Sequence, residues 1–306
     1  MARFLIRRLV WSGPVLLGVV TLVFFLIHLI PGDPIDLMLG ERAAEADRAA
    51  LRAALHLDDS IWTQYGHFLA RIARGDLGRS LSTQQSVSGL ILARYPATLQ
   101  LAAAALLISL LIALPIGILC ATRPRSTVDL GGLLFSLLGI SMPAFWLGPL
   151  LIILFSLKLD LLPVSGRHGI TSILLPALTL GLGMSAIIVR LTRSSLLEVL
   201  RREFVLAARA KGLPERRVIL KHALRNALIP LLTVVGLQIG ALLTGSIITE
   251  TIFSWPGLGR LTIQAIQSRD YPLVQGCILV ITVTYLLINL MIDLLYATVD
   301  PRVQYE

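Results

Sequence analysis

Six runs of apolar residues, each 20 to 28 residues long, punctuate this chain, and no other feature limits its fold so severely. They are Leu9–Ile30, Leu99–Ala121, Leu130–Leu157, Ile170–Val189, Ala227–Ile248 and Leu273–Ile292. At about 1.5 Å per residue, roughly 20 residues cross the hydrocarbon core of a bilayer. Lipid gives the backbone no hydrogen-bond partner, so runs of this kind must close their own bonds as helices. Only 15% of the 306 residues are charged and 56% are hydrophobic, a balance that leaves a soluble domain without enough polar surface. The expected fold class is therefore all-α: a polytopic membrane protein with six transmembrane helices.

Charge placement orients the spans. Arg3, Arg7 and Arg8 precede the first run, as in a signal peptide. That run is too long for a signal core, however, and Pro31-Gly32-Asp33-Pro34 follows it where small residues would mark cleavage. It reads as an uncleaved span with a cytoplasmic N-terminus. Six spans then place the N-terminus, Thr122–Asp129, Arg190–Asn226 and the tail on one side. Those pieces hold 16 of the 27 Lys and Arg residues, against four in the short loops Lys158–Gly169 and Thr249–Pro272. The positive-inside rule reads this as N-in, C-in. The same placement accounts for the net charge of +9 without nucleic acid, since no aromatic residues interleave the basic ones.

The chain divides into residues 1–30 (N-terminus and first span), 31–96 (an extracytoplasmic segment) and 97–306 (five further spans). Within 31–96, Leu51 and Leu55 at helical spacing predict a short amphipathic helix over Ala43–Leu57. Trp62, Tyr65, Phe68 and Leu69 suit the membrane interface. Pro115 with Gly117 predicts a kink in the second span, and Met142-Pro143 interrupts the third.

Reaction chemistry has little to stand on. No GxxxxGK[ST] phosphate loop, HExxH or GxSxG occurs, so ATP hydrolysis by the P-loop route is excluded and no resident metal or cofactor is expected. Cys120 and Cys277 sit in apolar runs without metal-ligand spacing and read as small buried hydrophobes. His28 stands alone. Polar groups inside spans are costly and turn toward protein or water. Gln238, Asn289, Asp293 and Gln100 are the candidates for a substrate path or for interhelical hydrogen bonds; Gln238 and Asn289 are taken for the path, and Asp293 suits a structural pairing with a basic loop residue. Gly236 and Gly240, with Ala241 and Gly245, give small-xxx-small faces for close helix approach.

The most polar stretch between spans is Glu203–Pro230. Gly212 suits a left-handed helix C-cap and Pro214 the first turn of a new helix, which predicts helix, sharp turn, helix. Ala207, Ala208 and Ala210 keep the first helix slim. Here the chain resembles a known family: Ala207-Ala208, three residues, then Gly212 is similar to the EAA loop of ABC-importer membrane subunits. Leu29-Ile30-Pro31-Gly32-Asp33-Pro34, Gly75-Asp76-Leu77-Gly78, Gly139 to Trp146, His222 to Asn226, Phe253 to Arg260 and Arg269-Asp270-Tyr271-Pro272 resemble recurring words of its peptide/nickel (DppB/OppB-like) branch. Leu206 stands where the general pattern has Glu, and Leu224-Arg225 where it has Leu-Pro; the branch tolerates both.

The resemblance implies the type I permease fold of ABC importers in a bacterial cytoplasmic (inner) membrane, without enzymatic activity of its own. It implies a homologous second permease, two ATP-binding subunits carrying ATP and Mg, and an extracytoplasmic solute-binding protein. It also implies that residues 193–226 form the coupling loop, with Ala207, Ala208, Lys211, Gly212, Leu213, Pro214 and Glu215 facing the ATPase. Peptides are the first cargo to consider and nickel or a nickel chelate the second. An ion-coupled secondary transporter is the reading from another class, but it needs intramembrane acids and an internal repeat, and neither is evident.

Overall fold

The computed structural model describes residues 2–28, 35, 44–54 and 58–299. Among them every regular element is a helix, and the only extended pairing is one antiparallel bridge, Arg79 to Ser86. The helices are α1 (Ala2–His28), α2 (Glu45–Ala54), α3 (Ile61–Ala73), α4 (Val87–Thr122), α5 (Thr127–Ser141) and α6 (Ala144–Leu151), which continues as a π-helical stretch, Ile152–Lys158. After a short turn, Thr171–Ile173, come α7 (Leu174–Leu200), α8 (Glu203–Ala210) and α9 (Glu215–Arg217). A second π-helical stretch, Val218–Ala223, leads into α10 (Leu224–Ile252), followed by α11 (Leu258–Gln267) and α12 (Tyr271–Val299).

All six apolar runs are helical where described, except at Met142-Pro143 in the third and at Ile170, which begins the fourth. Of these helices α4, α7 and α12 are long and apolar enough to cross a membrane unaided. The third run is no rod. α5 and the helix Ala144–Lys158 meet at 106°, because Pro143 lacks an N–H and its ring pushes Met142 out of the helical region. Met142 is extended (φ −90°, ψ 113°) and α5 ends one residue earlier. The fifth run differs from expectation at its start. It has no boundary at Ala227: helix continues from Glu215, and the axis bends by 56° around Pro230.

The contacts divide the chain into two compact units. One comprises the N-terminal residues up to Leu5, Thr98–Trp255 and the helix from Leu287 onward, the other Ile6–Ala97 with Pro256–Leu286. In the first, α7 is the central helix, with Leu175, Ala177, Ala186, Ile188 and Val189 buried along it. Small residues let its neighbours come close. A Cβ on Gly139 of α5 would lie 2.6 Å from Ala186 Cβ, and one on Gly117 of α4 would lie 2.6 Å from Thr192 Cβ. Gly117 thus serves a close approach, in a helix that runs unbroken through Pro115.

In the second unit, Val87 and Ile91 of α4 pack with Leu258, Leu261 and Ala265 of α11 and with Leu273, Val274 and Cys277 of α12. The connection Thr249–Pro272, read from sequence as merely polar, contains α11, whose apolar residues at i, i+3 and i+7 face this core. Asp270 is fully buried and holds the loop before α4: the Ser82 hydroxyl (3.0 Å) and the Leu81 N–H (3.1 Å) donate to its carboxylate. The Leu273 N–H at the start of α12 donates to it as well (3.3 Å), so Asp270 doubles as a helix cap. Tyr65 and Phe68 of α3 pack on Phe24 of α1, with ring centroids 5.2 and 5.4 Å away, and Phe68 is buried. Aromatic pairing inside the unit claims these two rings.

Candidate functional site

The loop between α7 and α10 is built from the inside out. Leu196 and Val199 of α7, Val205 and Ala208 of α8, and Val218, Ala223 and Ala227 beyond the turn form one buried cluster, which Ala121 at the end of α4 joins. Val205 and Ala208 are three residues apart, so one face of α8 is held to the end of α7. An adjoining face, Phe204, Ala207 and Lys211, is exposed, again at helical spacing.

The expectation that all three alanines form a slim outer surface is therefore corrected. Ala207 and Ala210 do, while Ala208 is 8% exposed and packs inward. Phe204 was missed, although its i, i+3, i+7 spacing to Ala207 and Lys211 is legible in the sequence.

The turn itself is a Schellman motif. Gly212 sits at φ +72°. Its N–H donates to the Arg209 carbonyl (2.9 Å), and the Leu213 N–H reaches back to the Ala208 carbonyl (3.4 Å). Leu213 is half-buried against the cluster, supplying the apolar contact that accompanies such a turn. No atom lies within 4 Å of where a Gly212 Cβ would be, so backbone geometry alone favours glycine there. Pro214 is extended and caps α9 from outside its first turn: the Arg217 N–H donates to its carbonyl (2.8 Å).

Across the turn, the Arg209 guanidinium grips Glu215 with two hydrogen bonds, Nη2 to Oε1 at 2.6 Å and Nε to Oε2 at 3.1 Å. This pairing holds the Glu215 carboxyl below its ordinary pKa and raises that of Arg209. Ala207, Lys211, Gly212, Pro214 and Glu215 are all exposed at this tip. Behind it a cavity of about 300 Å³ opens between Thr122, Leu197, Arg201 and Ile219.

The two path candidates lie on different sides of α10. A Cβ on Gly236 would lie 2.7 Å from Ile292 Cγ2, which fixes the face that α10 turns to α12. Gln238, two residues on and about 200° round the helix, faces away from that contact, while Asn289, three residues before Ile292, shares its side of α12. Both are half-buried. Gln100 accepts a hydrogen bond from Arg167 Nη2 (2.7 Å), and the Arg167 guanidinium lies 5.8 Å from the Trp255 ring centre. Asp293 falls on α12 with its side chain outside the described set. Sequence reasoning missed Glu250, which is fully buried near the end of α10 and accepts from Thr98 Oγ1 at 2.7 Å. It also missed Asp129, which is gripped by Arg193. Neither belongs to a motif, and only the fold reveals the partner.

Comparison with known proteins covers the whole chain. A family described as binding-protein-dependent transport system inner membrane component matches residues 113–305, and the corresponding N-terminal family matches residues 1–102. The dipeptide transport system permease protein DppB of Escherichia coli K12 is 42% identical, and the di/tripeptide counterpart of Pseudomonas aeruginosa is 43% identical. The glutathione transport system permease protein GsiC of Salmonella choleraesuis is 40% identical. Each match covers 100% of both chains. Among solved structures, a chain of the inward-facing MetNI methionine ABC transporter superposes with a TM-score of 0.57 at 22% identity, over 69% of this chain and 96% of that one. That likeness is one of fold.

Proposed function

The chain belongs to the binding-protein-dependent transport system inner membrane components, and from that membership we propose that it forms one half of the path of an ATP-driven importer of short peptides. It is a permease and not an enzyme, and it resides in the inner membrane. The observation that carries the cargo is 40–43% identity, end to end, to permeases named for dipeptides, di/tripeptides and glutathione. These names favour peptides over nickel. Among the described residues no group of three His, Cys, Asp or Glu is placed to hold a metal ion.

In this reading six spans cross the membrane N-in and C-in: α4, α7 and α12, the two bent pairs counted as one span each, and the shorter apolar stretch Val10–Leu26 of α1. A homologous permease completes the path, two ATPase subunits bind ATP and Mg below, and a solute-binding protein delivers peptide from outside. The loop over residues 203–226 docks on the ATPase with its exposed tip, Ala207, Lys211, Gly212, Pro214 and Glu215, while Ala208 and the half-buried Leu213 secure the loop from within. Because the inner face of α8 is packed on the end of α7, the loop moves as one body with that helix. The ATPases then shift the inward–outward equilibrium by holding the loop differently in their open and closed states. Gln238 and Asn289 contribute polar groups to the path.

Co-purification tests this. When the chain is expressed with its genomic neighbours, tagged protein should bring down ATP-binding subunits whose hydrolysis rises with peptide-loaded binding protein. A chain that purifies alone and transports peptide alone would be a secondary transporter instead.

A further inference from the structure

The loop is not the only element fastened to α7. Asp129, in the first turn of α5, has 4% of its side chain exposed and is gripped by Arg193 of α7, with Nη2 to Oδ2 at 2.8 Å and Nε to Oδ1. The Arg125 N–H, in a turn residue at φ +61°, donates to the same carboxylate (2.9 Å), so Asp129 also fixes the turn that follows α4. Ten residues along α5, Gly139 lies against Ala186, seven residues back along α7. α5 is thus antiparallel to α7 and attached at two points, one ionic and bidentate, the other a close backbone approach. Arg193 lies three residues before Leu196, where the cluster that carries α8 begins.

Resting on the importer reading above, we propose that Asp129 and Arg193 are positioning residues that make α5, α7 and the coupling loop a single lever. A displacement of the loop then reaches the 106° break at Met142-Pro143, and not α7 alone. A purely packed contact would let α5 slide along α7 as the loop moves. A bidentate pair on a buried carboxylate has one geometry, and losing the half-buried Arg193 leaves the Asp129 charge without its partner. Asp129 and Arg193 face neither the exposed loop tip nor the path candidates, so their effect is on transmission.

The test uses the complete reconstituted complex and compares Asp129→Asn, Arg193→Gln, the double variant and the conservative Arg193→Lys. The double variant keeps the shape without leaving an unpaired charge, so it preserves the fold where a single change does not. ATPase pull-down and binding-protein-stimulated hydrolysis should stay within about twofold of wild type, while peptide taken up per ATP hydrolysed falls about tenfold, the scale of an ordinary coupling energy. Arg193→Lys should recover part of that ratio. The lever is overturned if uptake per ATP is unchanged in the double variant, or if hydrolysis and uptake fall together in it. A wild-type chain that brings down no ATPase would overturn the importer reading itself, and the lever with it.

Discussion

Ala207 and Ala208 are adjacent in sequence and opposite in consequence. Ala208 is buried in the cluster under the loop and Ala207 is exposed beside Phe204 and Lys211. A carboxylate at 208 would be an unpaired buried charge costing several kcal/mol, so Ala208→Glu should lower the melting temperature of the purified permease and reduce its yield. Ala207→Glu should leave melting unchanged, a surface substitution being worth within about 0.5 kcal/mol, yet abolish ATPase pull-down. Equal melting temperatures for the two variants would mean that α8 does not present the face described. Residue-scale legibility follows the same line. Gly212 was readable because a helix followed by Gly-Leu-Pro has few backbone solutions, and its φ of +72° agrees. The inward turn of Ala208 was not, because an alanine carries no sign of which side it faces. The roles of Asp129, Glu250 and Asp270 are not legible for a related reason, although Asp270 stands in a family word: each takes its role from a partner distant in sequence.

At the scale of elements, composition identified every apolar run as helix but not its course. Met142-Pro143 marked the break in the third run, because proline constrains its own residue and the one before it. The angle of 106° depends on packing against α7 and α10 and is not written locally. α11 was missed because ten residues with four polar side chains look like a loop until the i, i+3, i+7 stripe is set against α4. The join between α8 and α9 carries its own prediction. Glu215 has its carboxyl pKa lowered by Arg209. A depressed carboxyl stabilises the folded state above its unfolded pKa, near the ordinary value of 4.5, and loses that stabilisation as pH falls through the folded value. Both side chains are largely exposed, so the pair is worth only about 0.2–1 kcal/mol. Glu215→Gln should therefore melt slightly below wild type at pH 7, and the difference should shrink below about pH 4.5 and vanish once the pH has fallen through the lowered carboxyl pKa. A gap that widens on acidification would show that the brace is not ionic.

For the whole molecule, the topology rests on 16 basic residues assigned to one side. Cys120 and Cys277 are buried and unpaired, which keeps their background labelling low. Single cysteines at Asp58 and Ser165 should then react with an impermeant thiol reagent added to intact spheroplasts, and one at Lys211 should react only after the membrane is opened. Labelling of Lys211→Cys from outside would invert the orientation and remove the loop from reach of any cytoplasmic ATPase.

Peptide uptake coupled to ATP through the 203–226 loop is tested most directly in proteoliposomes that hold both permeases and both ATPases, with loaded binding protein on one side and ATP on the other. Wild type should accumulate labelled dipeptide only when ATP and binding protein are both present. Gly212→Val should insert and pair normally, because space around the missing Cβ is open. It should nonetheless lose uptake, because a β-branched residue resists the left-handed turn by about 1–2 kcal/mol or more. Dipeptide accumulation that needs no ATP, or that continues undiminished in Gly212→Val, would contradict it.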